Sequence, residues 1–405
     1  MRKWFLRIVG GLLAVVLVFV LALGFWPVRA DVPGLGAGGK AGAPQPPSGP
    51  DQRGAGQVLT VQEGESIQAA VDRAQPGDTV RVMPGAYRQE VLVQTDSLTL
   101  EGVVDGDQRA VLDGENTRAN AVLGVGNYFT ISGFHMVNYT SNGATVQGIT
   151  GPIFRDLITE NTGEYGIFPI LSSDVLIEHS VTSGVIDTGI YVGQSRGIIV
   201  RNNESFGNVS GIEIENSVNA LVENNYAHDN TAGILVFILP GKTATEATHT
   251  RVVNNRVENN NLANFARPEM IVSMVPDGSG ILILSADQTE VTGNTISGNK
   301  SYAVGLVALT DFPEFFGAQT AWDIPVVPEN NWIHANTYVN NGYDPNPAMV
   351  ASGFIGADLL WSTAGSGNRW DDPQASRFPS PLPSSSWPAF VQRVFWRSLN
   401  FLAHL

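Results

Sequence analysis

The chain has 405 residues, with 23 Lys and Arg against 38 Asp and Glu for a formal net charge of −15; 43% of residues are hydrophobic, 15% are charged and none is cysteine. The low charged fraction suits a chain held mostly in buried or half-buried strands. The missing cysteine excludes disulfides, thiolate metal sites and a Cys nucleophile.

The first 30 residues read as an export segment. Arg2, Lys3 and Arg7 form a basic start, Ile8 to Trp26 is an uncharged and largely apolar run, and Val28-Arg29-Ala30 resembles a small-residue cleavage site. The run fits both a cleaved signal peptide and a retained N-terminal anchor. Either way the basic flank stays cytoplasmic and the following chain faces outward, in the periplasm or at the cell surface. Without residues 1–30 the chain keeps 19 cations against 38 anions, a net of −19. That surface repels nucleic acid and anionic lipid, and it favours a neutral glycan over a polyanionic one.

Residues 31–57 are rich in Gly, Pro and Ala and read as a linker. Structure is expected from Val58. Val58–Val61 predicts a strand, and Ser66 predicts the N-cap of a short helix with Ile67, Ala70, Val71 and Ala74 on one apolar stripe. A solenoid exposes its core at the first rung, and this helix is expected to cap it.

A repeat dominates the middle of the chain. Gly166-Ile167-Phe168-Pro169, Gly189-Ile190-Tyr191-Val192, Gly211-Ile212-Glu213-Ile214 and Gly233-Ile234-Leu235-Val236 recur at intervals of 23, 22 and 22 residues. Gly280-Ile281-Leu282-Ile283 and Gly305-Leu306-Val307-Ala308 continue it after an insertion. Second strands such as Val175-Leu176-Ile177 and Ile198-Ile199-Val200 lie between them, and asparagines mark the turns. Asn tolerates left-handed backbone and can stack its amide along a solenoid axis. The period excludes a hexapeptide helix, a leucine-rich repeat and a propeller. It predicts an all-β right-handed parallel β-helix of about ten rungs over 58–342. Insertions at 239–250, 262–278 and 310–330 are expected as loops on one face, covering the outward apolar residues Leu235, Phe237, Leu282 and Leu284. Residues 343–388 read as an irregular Pro/Ser-rich segment. Residues 389–405 read as an amphipathic C-terminal helix, either a lid on the last rung or an interfacial membrane helix.

Alternate strand residues face outward. With Ile190 and Val192 inside, Tyr191 faces out, and Glu213 and Glu215 follow one rung on. Glu164 and Asp187 each precede a repeat glycine by two residues and should stack about 4.8 Å apart. Glu164, Asp187, Glu213 and Glu215 are therefore the candidate acid, base or Ca²⁺ ligands. Tyr191, Gln194, Asn216 and His228 are the candidate substrate-binding residues. Crowded carboxylates should raise one another's pKa. Solvated outward carboxylates that keep an acidic solenoid soluble, and a His228 that only braces its turn, are the plainer alternatives.

Residues 58–342 resemble the pectin-lyase-like superfamily of right-handed parallel β-helices. The opening "TVQEGESIQAAVDRAQPGDTVRVMPGAY" is similar to that group's N-terminal cap. "DTGIYVGQS" (187–195), "GIEIENS" (211–217) and "GILVF" (233–237) are similar to a narrower set of bacterial β-helix-domain proteins of unestablished activity. The resemblance implies the fold and a polysaccharide or cell-envelope partner, either cleaved or modified by a lyase, hydrolase or epimerase, or bound by a non-catalytic scaffold. The Asp-Pro-His-Asp motif of the superfamily's uronate epimerases is absent, and the calcium-and-arginine site of its pectate lyases has no match.

Overall fold

The computed structural model describes residues 56–312, 323–362, 364–380 and 382. The export segment, most of the linker and the C-terminal helix expected at 389–405 lie outside them. Three wholly parallel sheets of 12, 11 and 10 strands run along the molecule, and each turn of the chain between its two ends contributes one strand to each. One rung shows the path. Strand Tyr165–Ile170 lies in the 11-stranded sheet, Ser173–Glu178 in the 12-stranded sheet and Val181–Ser183 in the 10-stranded sheet, and Thr188–Gly193 returns to the first. This is a right-handed parallel β-helix.

The repeat places like residues over like. Ile167 pairs with Ile190, Ile190 with Ile212, Ile212 with Ile234 and Ile234 with Ile281. All five are fully buried, so they form one apolar column inside the coil. The small glycine before each isoleucine lets the turn pass close to its neighbours: a Cβ on Gly189 would lie 2.3 Å from the Ser205 hydroxyl and 2.4 Å from that of Thr182. A five-residue helix, Ile67–Val71, stands at the first rung, with Ser66 accepting from the Ala69 amide and Ile67, Ala70 and Val71 buried.

The solenoid does not stop at Gly342, which corrects the expected boundary. Ala357–Trp361 and Arg377–Phe378 extend the 11-stranded sheet, and Arg369–Asp371 extends the 12-stranded one. The period fades because the short helix Pro347–Ala351 and its flanks lengthen one rung, while Leu359 and Trp361 still enter the core.

The insertions border the 11-stranded sheet on both sides. Residues 239–250 follow its strand Ala232–Phe237, and 262–278 precede its strand Ser279–Leu284. Leu235, Phe237 and Leu282 are buried in one cluster with Leu239 and Ala247 of the first insertion, against which Leu284 and Val275 pack. Of the third insertion, residues 313–322 lie outside the described residues.

Candidate functional site

The outward face of the 11-stranded sheet carries two adjacent ladders. Tyr191, Glu213, Leu235 and Leu282 stack in one; Ile170, Gly193, Glu215, Phe237 and Leu284 stack in the other. Two carboxylates thus sit in columns that are otherwise apolar. Asp187 lies just before strand Thr188–Gly193, stacked beside Glu164 of the preceding rung, where the Thr188 amide donates to the Glu164 carbonyl at 3.2 Å.

These outward acids are not solvated. Asp187 is 8% exposed, and Glu213 and Glu215 are 3% exposed each. An aromatic wall closes one side: Tyr165 stacks on Phe168 at 4.4 Å, and Tyr191 tilts against both at 5.0 Å. Tyr165 donates its hydroxyl to Asp187 Oδ2 at 3.0 Å, and Thr188 donates to Oδ1 at 2.9 Å. The Tyr191 hydroxyl bonds Glu215 Oε2. Gly193 makes room for that contact, because a Cβ there would meet the Tyr191 hydroxyl at 2.4 Å. From the insertions, Lys242 Nζ pairs with Glu215 at 3.1 Å and Arg267 Nη2 with Glu164 at 2.6 Å.

Burial dominates the electrostatics. It pushes Asp187 up to about 6, with the charges of Glu164 and Glu215 adding and the Thr188 and Tyr165 hydrogen bonds opposing. Burial also raises Glu213 well above the ordinary carboxylate range, reinforced by Asp187, while the hydroxyls of Ser210 and Thr188 oppose. The phenols of Tyr165 and Tyr191 are driven up by burial and by the neighbouring acids, so both stay protonated and act as donors.

Glu164, Asp187, Tyr191, Glu213 and Glu215 therefore fall in one cluster. The other three candidates have partners of their own outside it. Gln194 accepts from the amides of Thr243 and Ala244 at 2.8 and 3.4 Å. The buried Asn216 donates to the carbonyls of Leu239 and Ala244 and accepts from the Leu239 amide. Both side chains fasten the first insertion. His228 ends strand Tyr226–His228 of the 10-stranded sheet, away from the cluster. There it stacks on Tyr226 at 3.9 Å and bonds Asp229 at 2.7 Å and Glu204 at 3.1 Å. The repeat assigns it to another sheet because a 22-residue turn visits three faces. Sequence reasoning missed Tyr165, Lys242 and Arg267. Tyr165 had a signal, since it precedes a repeat glycine. The two cations had none, since loop reach is not periodic.

The geometry lends the Ca²⁺ expectation no support. Glu164, Asp187 and Glu215 already have cation or hydroxyl partners, and among the described residues no group of three or more His, Cys, Asp or Glu is placed to hold a metal.

Fold and site together define a right-handed parallel β-helix with a covered acidic cluster on its 11-stranded sheet. Residues 125–375 match the family described as "Periplasmic copper-binding protein (NosD)", and the chain belongs to that family. The family's periplasmic description agrees with an extracytoplasmic location. Among the described residues no group of three or more His, Cys, Asp or Glu is placed to hold copper. The chain has no Cys. His228 is held between Glu204 and Asp229, while His334 stacks on Trp332 at 3.7 Å and bonds Glu290 at 3.0 Å. Copper prefers several thiolate, thioether or imidazole ligands together. No curated protein matches the chain. Among solved structures, it is similar to an alginate lyase from Paenibacillus sp. str. FPU-7, at 16% identity and a TM-score of 0.55 over 78% of this chain and 99% of that one. It is also similar to the A-module of a mannuronan C-5 epimerase from Azotobacter vinelandii, at 15% identity and 0.54 over 75% and 91%. At such identity the likeness concerns the fold. Among the described residues no helix is long and apolar enough to cross a membrane.

Proposed function

We propose that this protein binds a polysaccharide on the outward face of its 11-stranded sheet, across the rungs from Glu164 to Phe237, and cleaves or modifies it with Asp187 and Glu213. The observation that carries this reading is the carboxyl pair itself. Two buried acids share one environment, one pushed up to about 6 and the other raised well above the ordinary carboxylate range. Groups tuned toward neutrality are the equipment of proton transfer to or from a sugar. Glu213, raised by burial and by the charge of Asp187, is the acid. Asp187, ionised at neutral pH and oriented by Tyr165 and Thr188, is the base. The named activities of the two similar folds, on alginate and on mannuronan, agree with a polysaccharide partner.

A panel of polysaccharides assayed for binding and turnover tests this. Asp187→Asn and Glu213→Gln should each lower turnover by about 10²–10⁴-fold while binding persists. A second reading, a non-catalytic scaffold at the cell envelope, is favoured by the burial of the cluster beneath loop cations. Binding with no turnover in any form would select it.

A further inference from the structure

The two insertions beside the acidic cluster are fastened in different ways. Residues 239–250 are tied at several points along their length. Asn216 makes three hydrogen bonds to Leu239 and Ala244, Gln194 bonds the Thr243 and Ala244 amides, and Lys242 pairs with the buried Glu215. Ala247 enters the core, and Thr248 bridges to Val218 and Asp287 of the 12-stranded side.

Residues 262–278 differ. Their base is held at Leu262, whose amide donates to the Asn230 carbonyl, and at Gly278, whose amide reaches the Asn260 and Thr231 carbonyls. The base extends to Asp277, which pairs with Lys300 at 2.7 Å and accepts from Asn346 at 2.6 Å and, at its carbonyl, from Ser301 at 2.6 Å, and to Val275, which packs on the core; the rest of the segment bonds largely to itself. Asn264 Nδ2 donates to the carbonyls of Val272 and Val275, and a short 3₁₀ turn spans Ile271–Met274. Leu262, Phe265 and Ile271 are 40–49% exposed. The tether to the acidic face is Arg267 on Glu164, at 2.6 Å, with side chains 51% and 37% exposed, and Glu269 competes for the same guanidinium at 3.3 Å. An ion pair this exposed is weak and salt-sensitive.

We propose that residues 262–278 form a hinged flap latched by Arg267 on Glu164 over the acidic cluster, while residues 239–250 form a fixed wall. The flap pivots at Leu262 and Gly278, keeps its own Asn264-braced turn as it moves, and uncovers Glu164, Tyr165 and Asp187 when the latch parts. The proposal stands on the fastening of the two loops, so it holds whether or not the cluster turns over a polysaccharide.

Hydrogen exchange of the full chain, read by mass spectrometry without any glycan, tests it. Arg267→Ala and Glu164→Gln should each speed exchange in 262–278 by roughly two- to fivefold, the range set by an exposed ion pair. Parent protein in 0.5 M NaCl should do the same, and Arg267→Lys should restore most of the protection. Exchange in 239–250 and in strand Ser279–Leu284 should stay at the parent rate throughout. Equal acceleration in both insertions would make them one unit and overturn the proposal. Unchanged exchange in 262–278 in both latch variants would overturn it too, since the latch would then hold nothing.

Discussion

Asp187 shows at a single residue how burial changes the chemistry of a repeat position. The ladder rule sets it outward beside Glu164, and an outward carboxylate on a bare solenoid would titrate like any Asp. Here the aromatic wall and the insertions take it out of water. Its folded pKa of about 6 lies above the ordinary Asp value of 3.8, so the native state holds the proton more tightly than the unfolded chain. The sign follows: this group's contribution to stability is lost as pH rises through the folded value, with a loss of roughly 3 kcal/mol when complete. Asp187→Asn keeps the shape and removes the charge. Its stability relative to the parent should be near zero at pH 4 and favour the variant by about 1–3 kcal/mol at pH 7, read from urea midpoints at both pH values. A difference that does not change with pH would refute the raised carboxyl. Glu178 shows the opposite outcome on the 12-stranded sheet. Although just as buried, it is clasped by Arg155 and Arg201 at 2.6 and 2.7 Å, and these guanidiniums outweigh burial and lower its pKa.

At the scale of the element, the asparagine turns divide two tasks between neighbours. In Asn202-Asn203, Asn224-Asn225, Asn254-Asn255 and Asn259-Asn260 the first residue takes the left-handed backbone, with φ between 52° and 55°. The second is buried and joins an amide ladder, Asn260 one with Asn230 and Asn299 and the other three a second. Asn203 donates from Nδ2 to Asn225 Oδ1, Asn225 to Asn255, Asn255 to Asn294 and Asn294 to Asn336, at 2.9–3.0 Å. Asn336 then donates to Asp372 Oδ2 at 3.0 Å. A carboxylate accepts but cannot donate, so it ends the ladder where no further rung needs an amide. Asn255→Ala would strand the Asn225 backbone and side-chain N–H groups and the Val222 carbonyl, all bonded to Asn255 now. Leaving several buried groups unpaired should cost about 2–4 kcal/mol, and chemical denaturation of the variant measures it. A loss below 0.5 kcal/mol would mean that water enters the turn and replaces the amide.

For the whole molecule, solenoid stability is a sum of rungs and their interfaces, so the last rung matters as much as any other. Strand Ala357–Trp361 covers the edge of strand Tyr302–Val307, and Trp361 is buried against it. Ending the chain after Gly342 would bare that edge and its apolar column. The shortened protein should melt several degrees lower and associate through the free strand edge, as shown by calorimetry and light scattering. Unchanged melting and a monomer would mean that the rungs after Gly342 add nothing.

By itself the sequence determined the coil. Its 22-residue period, the glycine before each Ile167-type core residue and the turn asparagines are local and repeating, and a parallel ladder turns such a repeat directly into stacked columns. It also placed Glu164, Asp187, Tyr191, Glu213 and Glu215 together, because register is arithmetic once the period is known. Tertiary structure alone decided which of these groups lose water and what faces them. Lys242 and Arg267 reach the cluster from aperiodic loops, Gln194 and Asn216 are drawn into fastening one of those loops, and His228 turns onto another sheet. Insertions leave no periodic trace, so their fold, and with it the burial that raises Asp187 and Glu213, follows from packing across distant parts of the chain.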